Sequence, residues 1–205
     1  MKKVFLSRKV LENAGLTDEG FLVYVALRTK WCYSKLNFNK DIIHLQDLMW
    51  LLSGSLECSN RYIMKMRQGI ENLVSLRYIE VQKINSNAVI ATFNDAYFFS
   101  TKKNEPDFEP YVVVYEYEIH TIMGSGEKFR DKLLRYFTAK IATIYNGENK
   151  RMSVEKNGYS HMNNIGCMSI GYCASLARIG MKAAIAYDKW IEEHNLLVNQ
   201  SPDCV

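Results

Sequence analysis

The chain has 205 residues, of which 48% are hydrophobic and 12% aromatic, so it can bury a sizeable core and global disorder is excluded. The formal net charge is +4, and all of the excess lies in residues 1–100, which carry 13 Lys and Arg against 9 Asp and Glu. Residues 101–205 carry 13 charges of each sign, so the first half is the better electrostatic match for phosphates.

The same composition argues against disulfides, a zinc site, a membrane span and a catalytic histidine. The five cysteines are odd in number and form no CxxC pair, which favours free thiols in a reducing cytoplasm over a disulfide framework or a zinc site. No apolar run approaches about 18 residues, so no membrane span is predicted. The four histidines are scattered and assemble no catalytic constellation. We therefore expect no enzyme activity, no metal and no cofactor.

The first hundred residues predict three helices. Thr17 caps a helix over residues 18–32 that is apolar nearly all round, as a central core helix should be. A second helix is predicted over residues 42–52 and ends at Ser53-Gly54-Ser55. A third begins at Ser59 or Asn60. Its predicted buried stripe is Ile63, Met66, Ile70, Leu73 and Val74, and the predicted opposite face is Arg61, Lys65, Gln68 and Asn72.

Two strands follow, over residues 78–84 and 88–93, around an Asn85-Ser86-Asn87 turn. Three helices and a hairpin in this order are typical of a winged helix, in which a helix-turn-helix is followed by a β-hairpin wing. Residues 100–110 are polar and hold two of the three prolines, which indicates a linker.

The second half predicts a related layout. A strand is predicted over residues 111–119, and a long helix over residues 127–145 with Lys128, Arg130, Lys132 and Arg135 outside its apolar face. Residues 146–164 read as a long polar loop. A short helix over residues 169–179, a turn at Gly180 and a helix over residues 181–194 then lead into a strand that begins at residues 196–198. The predicted fold class is α+β, with tandem winged-helix-like domains over residues 1–100 and 111–205 and a linker over residues 101–110.

The stretch from Ile179 to Leu197 carries Tyr187-Asp-Lys189 and Ile191-Glu-Glu-His-Asn195. It resembles the second-helix signature of winged-helix replication initiators of Gram-positive plasmids and phages. This resemblance covers about 20 residues, and it implies a DNA-binding role in replication. The chain departs from the family pattern at Asp188, where an Asn is usual, and at the alanines of the helix start. Alanines cannot hydrogen-bond a base edge, so we expect this helix to add little sequence discrimination.

Eight polar residues are the predicted DNA contacts, because such heads reach base edges or phosphates from a recognition helix and its wing. Those of the first domain are Asn60, Arg61, Lys65, Gln68 and, beside the hairpin turn, Lys83. Those of the second are Arg178, Lys182 and Lys189. For the helix residues of the first domain the alternative is an ordinary solvated helix face, and for those of the second it is packing on a partner protein or a second subunit.

The predicted function is sequence-directed binding of double-stranded DNA without catalysis, in a cytoplasmic replication initiator or transcriptional regulator of a plasmid or phage. Partners would be double-stranded DNA, a second copy in a homodimer, or a replication or transcription protein. The rival from another class is a winged-helix protein that binds a protein partner, as an inhibitor or adaptor. Modest charge and the alanines at 183, 184 and 186 favour this rival.

Overall fold

The computed structural model describes residues 2–33, 40–55, 59–94, 111–144 and 169–197, with the side chains at 31–33 and 144 left aside. The chain divides into two compact units, Met1–Leu134 and Arg135–Val205. The described residues of the first unit begin with β1 (Lys3–Ser7), α1 (Arg8–Glu12), α2 (Asp18–Tyr33), β2 (Lys40–His44), α3 (Leu45–Ser53) and α4 (Asn60–Ser75). They continue with β3 (Ile79–Lys83), β4 (Ala88–Phe93), β5 (Tyr111–Tyr115), α5 (Glu116–Gly124) and the start of α6 (Arg130–Ile144). The second unit holds the rest of α6, then α7 (Ile170–Ala177) and α8 (Met181–Glu193). The fold is mixed α+β.

The first unit is built around α2, whose residues 20–29 are buried on every side, as its apolar sequence predicts. Helix α4 crosses it closely, because two glycines meet at the crossing. A Cβ on Gly69 would lie 2.4 Å from the Glu19 carbonyl oxygen, and one on Gly20 would lie 2.2 Å from the Asn72 side chain. Asn72 also accepts from the Thr17 amide at 3.0 Å and donates to the Gly15 carbonyl at 3.0 Å, so it ties α4 to the start of α2.

Three antiparallel strands in the order β2-β4-β3 form the sheet beside these helices. Strands β3 and β4 are the predicted hairpin, and β4 pairs on its other side with β2, from Lys40↔Thr92 to His44↔Ala88. The prediction of one helix over residues 42–52 is wrong at its start, because residues 42–44 belong to β2. Pairing with β4 satisfies their backbone groups, and this long-range contact overrides a locally helical pattern.

The two units do not follow the predicted domain boundary. Strand β5 pairs antiparallel with β1, from Lys3↔Tyr115 to Ser7↔Tyr111, and thereby places residues 111–115 in the first unit. The predicted strand over residues 111–119 also ends early. Tyr115 is its last strand residue, and its amide donates to the buried Glu118 carboxylate at 2.7 Å at the start of α5. Strand pairing between distant segments leaves no local signal, which is why the sequence pattern missed it. The predicted linker over residues 101–110 lies outside the described residues.

In the second unit, the helices α7 and α8 are joined by a three-residue turn, residues 178–180. The Ser169 hydroxyl accepts from the Tyr172 amide at 3.3 Å and caps α7. Arg178 ends that helix in the left-handed region at φ 57°, and α8 begins directly after Gly180. The two predicted helices are thus confirmed to within two residues at their ends. The predicted loop over residues 146–164 and Val198 lie outside the described residues, and Leu196 and Leu197 are not in a strand.

Candidate nucleic-acid interface

The solvent-exposed face of α4 carries most of the predicted contacts of the first unit. Asn60, Arg61 and Gln68 are exposed on it. Within the described ranges, the side chains of Arg61 and Gln68 have no hydrogen-bond or ion-pair partner. Three residues that the sequence pattern did not select share this face: Met64, Arg67 and Glu71. A helix rotates by about 100° per residue, so Met64 and Glu71 lie on the side of α4 that is opposite the buried stripe. Arg67 lies between that side and the stripe.

The structure does not place Lys65 on the open face of α4, and its DNA contact stays a prediction. Its side chain is only 21% exposed, and its ammonium donates to the Asp131 carboxylate of α6 within the first unit. Asn72, which we also expected on the open face, is engaged with the start of α2. Both residues lie at the edges of the buried stripe, where they contact neighbouring elements of the same unit. The open face of α4 is therefore narrower than the sequence predicted.

The Asp131 carboxylate belongs to a cluster that connects α4 to the first turn of α6. We call Tyr62, Lys65, Arg130 and Asp131 the Asp131 cluster. The Arg130 guanidinium donates to the Tyr62 hydroxyl at 2.5 Å and to the Met123 carbonyl at 2.6 Å. The Tyr62 hydroxyl in turn donates to Asp131 at 3.3 Å. These bonds use the polar groups on this side of α4 and leave its opposite side open.

The β3–β4 hairpin stands beside the open face. Ile79 is buried and strand residues alternate, so Lys83, four residues on, projects from the same side of the sheet as the core. Lys83 is exposed, and in the described part of the chain its side chain has no hydrogen-bond or ion-pair partner. The turn after it is held by the Asn85 side chain, which accepts from the Asn87 amide at 2.8 Å. Arg67 connects this turn to α4, since its guanidinium donates to the Ser86 carbonyl at 2.7 Å.

The second unit exposes its predicted contacts on α8 and the turn before it. Arg178 lies in the turn, and Lys182 and Lys189 are exposed on the helix. Lys189 forms an ion pair with Glu193 at 3.7 Å, but its side chain is 78% exposed, so this pair is weak and open to competition. The same surface of the helix pair is also apolar. Its exposed large hydrophobic residues are Ile170, Tyr172, Met181 and Ile185.

Helices α4 and α8 end in the same way. After α4, Arg77 is left-handed at φ 59° and the Tyr78 amide donates to the Leu73 carbonyl at 2.9 Å. After α8, Asn195 is left-handed at φ 54° and the Leu196 amide donates to the Ile191 carbonyl at 3.0 Å. In both, two buried residues follow the left-handed one. This Schellman-type end directs the chain back to the core after each helix.

Helix α8 is held in the second unit by a buried polar cluster, which we call the Asp188 cluster: Tyr136, Lys140 and Asp188. The Asp188 carboxylate accepts from the Lys140 ammonium at 2.5 Å and from the Tyr136 hydroxyl at 2.9 Å. Burial, and next the Asp188 charge, raise the pKa of the Tyr136 phenol well above its usual range. Burial likewise raises the pKa of the Cys173 thiol, although its contact with the Thr143 hydroxyl at 3.2 Å opposes the shift.

These shifts predict how the stability of the second unit depends on pH. A folded-state pKa above the unfolded one means that the unfolded chain loses its proton first as the pH rises. The free energy of unfolding should therefore be unaffected by Tyr136 below about pH 10, and should fall by up to about 1.4 kcal/mol per pH unit above it. Hydrogen exchange of the α8 amides at a series of alkaline pH values, corrected for intrinsic exchange rates, measures this slope.

Tyr136→Phe should make that alkaline decline shallower, whereas Tyr172→Phe, at an exposed tyrosine of the same unit, should leave it unchanged. Equal slopes in the parent and in Tyr136→Phe would contradict the prediction.

No protein-family model, curated protein or solved structure matches the chain. In the described residues, no three His, Cys, Asp or Glu side chains group as metal ligands. None of the described helices has the length and apolar character needed to cross a membrane. The candidate surface of the first unit therefore depends on the geometry of α4 and the hairpin, and that of the second unit, taken by itself, on α8.

Proposed function

We propose that residues 18–93 form a winged-helix module that binds double-stranded DNA without catalysis. Helix α4 would lie in the major groove and the β3–β4 hairpin would contact the adjacent backbone. The observation that carries the proposal is the pairing of an open, polar helix face with a hairpin fastened beside it by Arg67. Cations without a partner among the described residues occur on both parts, at Arg61 and Lys83.

The residues of this face suit both parts of duplex recognition. Arg61 and Lys83 would contact phosphates, which position the protein but carry no sequence information. Gln68 and Glu71 can hydrogen-bond base edges, since an amide matches adenine and a carboxylate accepts from cytosine. The Met64 side chain, 49% exposed, offers an apolar contact for a thymine methyl group. Sequence-directed binding is the function that this mixture supports best.

Loss of phosphate contacts should be visible in the dependence of binding on salt. For Arg61→Ala and for Lys83→Ala, we expect weaker binding of duplex DNA and a slope of log affinity against log salt that is shallower by about 0.9 each. Fluorescence anisotropy with a labelled random duplex at four salt concentrations measures both quantities. Lys132→Ala, which removes an exposed lysine of α6, is the matched control and should keep the parental slope.

Unchanged slopes in both variants, with measurable binding by the parent, would show that DNA contacts another surface. A parent protein without salt-sensitive binding to any duplex would refute the function itself.

A role in replication initiation on a plasmid or phage, with transcriptional regulation as the near alternative, extends the proposal. It rests on the resemblance of residues 179–197. Selection of bound duplexes from a random pool, followed by mapping onto an origin or a promoter, separates the two roles.

A second candidate function concerns the second unit. Ile185 is 57% exposed and Met181 52% exposed on α8, and the Met181 methyl lies 3.6 Å from where a Cβ on Gly171 would be. The Met181 side chain therefore lies beside α7 at Gly171, which has the exposed Ile170 and Tyr172 on either side in sequence, and exposed apolar residues in such numbers are typical of a protein-binding surface. Ile185→Asp should abolish capture of a protein partner while the affinity for random duplex DNA stays within about twofold.

A further inference from the structure

We propose that Arg67 is a positioning residue that holds the β3–β4 hairpin in the place where Lys83 reaches the DNA backbone. The inference rests on the proposed DNA-binding function and deepens it, because it assigns a cause to the placement of the wing. It concerns a residue that neither the helical periodicity nor the resemblance selected.

The hydrogen bonds of Arg67 point to this role. Its Nη2 donates to the Ser86 carbonyl at 2.7 Å, across 19 residues of sequence, and its Nη1 lies 3.7 Å from the Met64 sulfur on the same helix. The guanidinium is planar and its donors are fixed relative to one another, so two contacts orient the group. Within the described residues it has no carboxylate partner, so its charge remains available to the surface that it organises.

On its β4 side the tip of the hairpin is held by the backbone, since the Leu45 amide at the start of α3 donates to the Asn87 carbonyl at 3.0 Å. Gln82, Lys83, Ile84, Asn85, Ser86 and Asn87 are all exposed. The side-chain bond from Asn85 to the Asn87 amide shapes the turn but does not fasten it to a helix. Strand β4 is paired with β2 up to Ala88, whereas β3 is an edge strand of the described sheet, so the β3 side of the turn has no ladder on its outer edge. The Arg67 guanidinium supplies a side-chain bond between the β3 side of the exposed turn and α4, and this bond limits how far Lys83 moves from the open face of the helix.

A double-mutant cycle between Arg67 and Lys83 tests the proposal. Lys83→Ala should weaken duplex binding and lower the salt slope by about one in the parent. In the Arg67→Ala background, where the Ser86 side of the turn is released from α4, the same substitution should change affinity by less than about twofold. The control cycle pairs Arg67→Ala with Arg61→Ala. These two should be additive within about twofold, because Arg67 bonds to Ser86 and Met64 and not to Arg61. A merely destabilised fold would not produce coupling that is confined to Lys83.

Hydrogen exchange without DNA gives a second readout. The amides of residues 84–88 should exchange faster in Arg67→Ala than in the parent, while those of α2 should be unchanged. Arg67→Lys should restore part of the protection, since an ammonium keeps one donor for the Ser86 carbonyl.

Full retention of the Lys83→Ala effect in the Arg67→Ala background would overturn the proposal, and so would a Lys83→Ala variant that binds like the parent. Absence of any duplex binding by the parent would refute the DNA-binding function instead. In that case the exchange result alone decides whether Arg67 holds the hairpin.

Discussion

Lys140→Met is expected to destabilise the second unit by about 3–5 kcal/mol, because it leaves the Asp188 carboxylate buried without its cation. The Lys140 side chain is 2% exposed and that of Asp188 11% exposed, so water cannot replace the lost ammonium. Tyr136 keeps one hydrogen bond to the carboxylate, which moderates but does not cancel the cost. Hydrogen exchange of the α7 and α8 amides, read by mass spectrometry, measures the free energy of opening of this unit.

Two variants show whether burial of the charge is the cause. Lys189→Met removes an ion pair of the same kind from the exposed side of α8 and should change stability by less than about 1 kcal/mol. Lys140→Met combined with Asp188→Leu removes both charges and should recover most of the loss, because a well-packed apolar pair often replaces a buried ion pair without cost. Equal losses in the single and the double variant would indicate that packing volume, and not the stranded carboxylate, sets the stability.

Gly69→Ala should lower the stability of the first unit by about 1–3 kcal/mol, although alanine is the better helix former by about 1 kcal/mol. The added methyl group would lie 2.4 Å from the Glu19 carbonyl oxygen and 2.5 Å from a methyl of Val23. Both contacts are far inside normal van der Waals distances. One neighbour is backbone of the central helix α2, so α2 and α4 would have to move apart. Urea denaturation followed by far-ultraviolet circular dichroism gives the change.

Gln68→Ala is the matched control, since it makes a similar change one residue earlier on the exposed side of α4. It should leave stability within about 0.5 kcal/mol of the parent. A Gly69→Ala protein that unfolds at the parental urea concentration or higher would mean that α2 and α4 do not cross as closely as the structure has them.

The local sequence pattern was sufficient to predict helices and strands whose buried residues recur with one regular period. The bounds of α2, α4, β3 and β4 agree with the predicted ones within about two residues, since each has a clear apolar period or a turn signal at its ends. The predicted α7 and α8 agree for the same reason. The pairing of strands that are far apart in sequence could not be predicted from local patterns. Strands β1 and β2 form because β5 and β4 offer them hydrogen-bond partners far along the chain.

The sequence pattern also did not predict which charged residues on helices are buried. Arg135 was expected on the solvent side of the long helix, yet it is fully buried, and Lys140 on the same helix is buried with Asp188. Lys65 was expected on the open face of α4, and it is paired with Asp131. A lysine or arginine has the same local signature whether its partner is water, phosphate or a carboxylate from another element. The partner is therefore decided by which elements pack together.

The amino-acid sequence by itself determined the order of the central helices and the hairpin, and the excess of positive charge in the first half. Local periodicity and turn chemistry are sufficient for such features. Only the tertiary structure decided which cations remain on the open face, how Arg67 fastens the hairpin, and where the chain divides into units. Those outcomes depend on contacts between residues far apart in sequence. Strand pairing and buried ion pairs form only after the backbone has brought distant groups within a few ångströms.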